Sequence, residues 1–200
     1  MSPAIALTKG AATRGLIIDR AFAMARTQGF EGLSIGSIAQ AANMSKSGVF
    51  AHFGSREDLQ LAVLDAAAQR FTDEVFVPAL RAPRGLKRLE AISEHWLKWL
   101  RDSVGGCPMI SAAIEYDDRP GPVRDRVALY EKRLRRELVR AVDMAIESGE
   151  LRADSDAEQI AFELFAISLV THHDYRLFGD SRTGKRAAIA FTRLFGSYRS

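Results

Sequence analysis

The sequence predicts an all-α protein of about nine helices. Three observations carry the prediction. Apolar residues recur at the i, i+3, i+4 spacing of one helix face along almost the whole chain. Capping residues and glycines fall where these periodic runs begin and end. Val75–Val77 is the one stretch that reads as a strand, and it is too short and isolated to build a sheet.

Ile17, Ile18, Ala21, Phe22 and Ala25 mark the first helix, with Gly29 as its stop and Phe30 docking behind it. Ser34 caps a short second helix through about Ala41, and Asn43 sits in the turn, where Asn tolerates a left-handed backbone. Ser45 caps a third short helix that ends near Phe53 and Gly54. Ser55 followed by Asp58 fits a capping box for a long fourth helix, in which Leu59, Val63, Ala67 and Phe71 keep step. Pro78 to Gly85 interrupts the pattern. Helix five carries Leu86, Leu89, Ile92, Trp96, Trp99 and Leu100 and stops at Gly105 and Gly106. Cys107 and Pro108 open a short sixth helix, since proline suits the first helical turn. An Arg-rich helix seven runs from Val123 to about Glu147. Helix eight runs from Asp154–Asp156 to Phe178, and helix nine from about Thr183 to Phe195.

The chain has 200 residues, 47% apolar and 26% charged, a globular balance with enough length to bury a core without crosslinks. No run approaches the roughly 18–20 apolar residues of a membrane span, and the first residues lack the apolar centre of a secretion signal. The single Cys107 excludes an internal disulfide framework and the cysteine-rich zinc sites, and it fits a reducing cytoplasm. Up to residue 56 the basic residues Lys9, Arg14, Arg20, Arg26, Lys46 and Arg56 face only Asp19 and Glu31. The positive excess therefore sits in the first quarter, where a polyanion would be met. The sequence has no Gly-rich phosphate loop, no histidine pair at i, i+4 and no nucleophile–base signature. An α-helical enzyme is therefore the remote reading, and no cofactor or metal is expected.

Residues 34–53 have the spacing of a helix-turn-helix. Ile35, Ile38 and Ala39 are expected to face the core from its first helix, and Val49 and Phe53 from its second. Met44 is expected to seal the turn, with Ala41 and Ala42 allowing close approach. The outward positions at the start of the second helix are then Ser45, Lys46, Ser47 and Gly48. Short hydrogen-bonding groups beside one lysine suit a major groove. The same spacing also fits an ordinary helical corner with a solvated polar face.

The wording of residues 14–64 resembles the DNA-binding domain of the TetR (tetracycline-repressor-like) family of bacterial transcription regulators. Ala21-Phe22, Gly29-Phe30, Ser34, Ile38-Ala39, Ser45-Lys46, His52-Phe53 and the run Ser55 to Leu59 carry the resemblance. Pro83 to Leu86, Gly105 to Pro108 and Asp117 to Arg124 are similar to phrases in one branch of its C-terminal domains. The resemblance implies a DNA-binding domain over residues 1–60 and a ligand-binding and dimerisation domain over 61–200. It implies phosphate contacts by Ser34 and Ser37, and base and phosphate reading by Ser45, Lys46, Ser47 and Gly48. It further implies a backbone contact by His52 and a basic contact by Arg56. Phe50 stands on the same surface where many members carry a Tyr whose hydroxyl meets a phosphate, and its ring is expected to pack. Gly48 replaces a common Thr, and Gly36 a frequent basic residue.

The resemblance also implies an inducer site among the C-terminal helices. Trp96, Trp99, Met109, Ile110 and Phe165 are its apolar candidates, and Glu115, Tyr116 and His172 its polar ones. The expected partners are palindromic double-stranded operator DNA, a mostly apolar small molecule and a second copy of the chain, with no membrane. The dimer is expected through helix eight and the Ala187, Ala188, Phe191, Leu194 and Phe195 face of helix nine. The leading function is a repressor released from its operator by that ligand, with a regulator lacking any effector as the alternative. The expected location is the cytoplasm, on the nucleoid when bound to DNA. Cys107 reads as a small buried residue rather than a sensor. Adjacent His172 and His173 point about 100° apart and cannot chelate as an i, i+4 pair would. Arg133, Arg135, Arg136 and Arg140, interleaved with Glu131 and Glu137, read as a solvated face with helix ion pairs.

Overall fold

A computed structural model describes residues 8–102 and 105–200. The N-terminal apolar patch weighed as a leader lies outside the described residues. We label the helices α1 (Lys9–Gln28), α2 (Ile35–Ala41), α3 (Lys46–Phe53), α4 (Arg56–Phe71), α5 (Leu86–Asp102), α6 (Pro108–Tyr116), α7 (Pro122–Glu147), α8 (Ala157–Leu177) and α9 (Thr183–Ser197). The all-α expectation holds, and among the described residues no helix is long and apolar enough to cross a membrane.

Local chemistry sets most of the boundaries. α1 begins well before its apolar periodicity because Thr8 accepts the Ala11 N–H, and its first turns face solvent. Gly29 ends it at φ 72°, a backbone that a side chain would strain. Ser34 and Ser37 form a reciprocal cap on α2, each hydroxyl accepting the other residue's N–H at 3.0 Å. Asn43 takes the left-handed turn at φ 52°. Ser55 caps α4 through the Asp58 N–H, but the Asp58 carboxylate takes the Ser55 hydroxyl instead of closing a box on the backbone.

Val75–Val77, the one stretch that reads as a short isolated strand, is helical instead. Thr72–Phe76 forms a π-helical turn that runs into a helical turn at Val77–Ala79, prolonging α4. Val75 is buried against neighbouring helices, and with no strand to pair with, packing overrides its β propensity.

Ile17, Phe22, Phe30, Ile38, Val49, Phe53 and Leu59 close a small core between α1, α2, α3 and the start of α4. Ala41 is exposed, so it takes no part in the close approach expected of it. The same core continues around α5, α7, α8 and α9 through Leu89, Trp96, Leu138, Leu164 and Phe191. α4 joins its two ends. Leu59 sits at the first end, whereas Phe71 packs edge-on against Trp96 and Trp99 at the other. Midway, Asp65 accepts hydrogen bonds from Arg126 and from the Tyr130 hydroxyl, tying α4 to α7.

Candidate nucleic-acid interface and ligand cavity

The start of α3 presents Ser45, Lys46 and Ser47 to solvent, with Gly48 half-buried behind them. The Ser45 hydroxyl accepts the Gly48 N–H at 3.0 Å and lies 3.1 Å from the Ser47 hydroxyl. A Cβ at position 48 would stand 3.1 Å from that Ser45 oxygen, so glycine there leaves the cap undisturbed. Lys46 has no charged partner among the described residues. Its side chain runs over Gly36, where a Cβ would sit 3.2 Å from the lysine Cε and 3.7 Å from its Nζ. The ammonium thus stands over the first turn of α2, in the space that a basic side chain at position 36 would claim.

Ser34 and Ser37 stand at the start of α2, where their hydroxyls are spent on the reciprocal cap. His52 is half-buried and makes no hydrogen bond among the described residues. Phe50 is 55% exposed, which corrects its expected packing role: α3 turns Val49 and Phe53 inward, and the ring between them faces outward.

Arg56 is tethered. Its Nε donates to the Leu33 carbonyl and one terminal nitrogen to the Glu31 carbonyl, both at 2.7 Å, with the Glu31 carboxylate 3.2 Å away. Its guanidinium therefore clamps the α1–α2 loop.

Glu115 and Tyr116 grip that loop from the other side, which corrects their expected place in the ligand site. The Glu115 carboxylate accepts the Phe30 and Glu31 N–H groups at 3.1 and 2.8 Å. The Tyr116 hydroxyl donates to Glu31 at 2.9 Å and accepts from Gln60, which also donates to the Phe30 carbonyl. The Tyr116 hydrogen bond, together with Arg56 and Arg119, holds the Glu31 carboxyl below the usual range. Burial and the facing Glu31 push the Tyr116 phenol up to about 12. These residues sit at the C-terminal end of α6, whereas the wall of the cavity is formed by its N-terminal turn.

That cavity, of about 390 Å³, lies between α4, α5, α6, α7 and α8. Of the residues assigned to a ligand site from sequence, Trp96, Met109, Ile110 and Phe165 line this cavity, joined by Phe71, Phe76 and Tyr130. Trp99 does not reach it; it packs behind Phe71. His172 also lies elsewhere. Its Nε2 accepts the Cys107 N–H at 3.1 Å, and burial, with Arg176 and His173 nearby, lowers its pKa to about 4. The imidazole is thus a neutral acceptor that pins the loop into α6. Cys107 is buried in the cavity wall, and burial pushes its thiol up.

The arginine-rich stretch of α7 also departs from expectation. Among the described residues, Arg133, Arg135, Arg136 and Arg140 form no ion pair, and Arg135 instead stacks 4.2 Å over the Phe165 ring. Glu131 was missed as a site residue, although the sequence carries its signal. Val123, Val127, Glu131, Leu134, Leu138 and Val142 fall at steps of three and four, so the carboxylate occupies the inward stripe. Asp65 and Tyr130 were missed for a different reason, since only the crossing of α4 and α7 brings them together.

Residues 17–63 match the profile described as bacterial regulatory proteins, tetR family, and residues 85–191 match the tetracyclin repressor-like C-terminal domain. A TetR transcriptional regulator from Chloroflexus aurantiacus J-10-FL is 28% identical, with 95% of this chain and 96% of that one covered at a TM-score of 0.84. The regulator from Cytophaga hutchinsonii shares the fold at 21% identity, 98% coverage of both chains and a TM-score of 0.84. AibR, solved in complex with isovaleryl coenzyme A and operator DNA, shares it at 21% identity, 94% and 98% coverage and a TM-score of 0.73. No curated protein matches the sequence. The second profile alone spans more than half of the chain, and the chain belongs to the TetR family of DNA-binding bacterial transcriptional regulators, which are not enzymes.

Proposed function

We propose that the protein is a cytoplasmic repressor that binds a palindromic operator as a homodimer and leaves it when a small, mostly apolar molecule enters the cavity. The observation that carries the reading is the placement of α6. Met109 and Ile110 at its start line the cavity, while Glu115 and Tyr116 at its end hold the loop joining α1 to α2. A helix of this length behaves as a short rigid rod, about 1.5 Å per residue, so displacing one end moves the other. No contact between ligand and DNA is needed, only different ligand affinity for the two arrangements.

On the DNA side, Ser45, Lys46, Ser47 and Gly48 would meet the major groove, with phosphate contacts from Ser34, Ser37 and His52. Arg56 would contribute by holding the α1–α2 loop and through the positive field it adds there. Residues 1–60 would form the DNA-binding unit and 61–200 the responsive one, with α4 crossing between them.

The dimer reading rests on α8. Phe162 (58% exposed), Leu169 and Val170 are exposed on it, and Ile189 is exposed on α9. Ala187, Phe191, Leu194 and Phe195, assigned to the dimer from sequence, are instead buried in the subunit core. A two-fold pairing would then rest on α8 with Ala188 and Ile189 of α9. Sedimentation should give a dimer at micromolar concentration; only monomer would contradict the pairing.

The linkage itself is tested with a duplex selected from random sequence and a cavity binder found by thermal shift. The binder should weaken DNA binding about 5–150-fold, and the duplex should weaken the binder by the same factor. Equal affinities with and without the partner would remove that compound as an effector.

A further inference from the structure

The cavity's charges are unequal. Its walls carry the carboxylates of Asp65, Glu131 and Glu137 against the single guanidinium of Arg133. Asp65 is met by Arg126 and Tyr130. Glu131 is not met. It is half-buried on the inward stripe of α7 and has neither hydrogen bond nor ion pair among the described residues. Arg135, one turn along, lies over Phe165 instead of pairing with it. Burial accordingly pushes the Glu131 carboxyl up, with Arg135 acting against the shift. An unpaired carboxylate in an apolar wall costs stability unless something pairs with it. The same cavity is lined by the rings of Phe71, Phe76, Trp96, Tyr130 and Phe165; an aromatic face favours positive charge, as Arg135 over Phe165 already shows.

We infer that this cavity selects a lipophilic cation: an aromatic or aliphatic body seated among the rings, with an ammonium-type group paired to Glu131. The inference rests on the reading of the cavity as the effector site and adds the ligand's charge. It separates this protein from AibR, solved with the anionic isovaleryl coenzyme A, because a carboxylate or phosphate entering here would face the unpaired Glu131.

Three probes sharing one frame test it by calorimetry on the full-length protein: para-phenylbenzylamine, para-phenylbenzyl alcohol and para-phenylbenzoate. The amine should bind about tenfold or more tightly than the alcohol, and the benzoate most weakly. Glu131→Gln should bring amine and alcohol within about threefold, whereas Glu131→Asp, which keeps the charge, should retain the preference. Alcohol or benzoate binding as tightly as the amine would overturn the inference while leaving a ligand site in place. A preference for the amine that survives Glu131→Gln would overturn the role of Glu131. If none of the three binds, the inference falls, while the effector-site reading is decided separately by the linkage titration.

Discussion

In the helix-turn-helix, Ser34, Ser37 and Ser45 each accept a backbone N–H from a residue three positions away. In the cavity, Glu131 stands in a wall of mixed aromatic and charged residues with no hydrogen bond or ion pair among the described residues. The first region satisfies its polar groups within short segments, so its shape is fixed before anything binds. The second draws its walls from five helices and leaves a charge unmet, so its energy depends on what enters. If the first region reads DNA and the second takes a ligand, as proposed above, this is a workable division for a switch, because only the second region needs two states.

The contrast can be broken most strongly through its aromatics. Trp96, 2% exposed, should cost about 3–5 kcal/mol when replaced by Ala, whereas exposed Phe50→Ala should change stability by less than about 0.5 kcal/mol. Urea unfolding of both variants decides the matter, and comparable losses would mean that the two regions are packed alike. Phe50→Tyr adds a hydroxyl on the outer face and should leave folding unchanged.

A second test sharpens the coupling through the loop before α6. His172 has a folded pKa of about 4, below its usual 6.5, so the unfolded chain binds more protons between these values. Stability from this residue is complete above about pH 6.5 and falls as the pH drops toward 4, by up to about 3 kcal/mol. His172→Gln should flatten that part of the pH profile of unfolding. A wild-type profile with no loss across the window would show that the imidazole is not buried neutral.

The smallest of these effects probes the seam. Tyr116→Phe removes the hydroxyl shared by Glu31 and Gln60 and should cost about 1 kcal/mol. It should also shrink the effect of a cavity ligand on DNA affinity. Unchanged coupling in a folded variant would place the route from cavity to DNA elsewhere, for example along α4.

These differences explain how much could be read from the sequence. The helix-turn-helix was legible because its caps, its left-handed Asn43 and its inward residues are all set within a few positions of one another. Trp96, Met109, Ile110 and Phe165 were legible as apolar faces. The roles of Glu115, Tyr116 and Arg56 were not, because their partners lie between 23 and 85 positions away. The inward α9 face was visible, but periodicity cannot say whether such a face meets its own subunit or a second copy. Glu131 was legible in register, hidden only by its place within a run of charged residues.

The central claim is that the start of α3 is the DNA-reading surface. Its direct test is an anisotropy titration of an operator-length duplex over a series of salt concentrations, comparing wild type with a double variant carrying Lys46→Ala and His52→Ala. The account predicts weaker binding at every salt concentration and a salt slope smaller in magnitude by about one for the lost lysine contact. Affinity and slope both equal to wild type would contradict it.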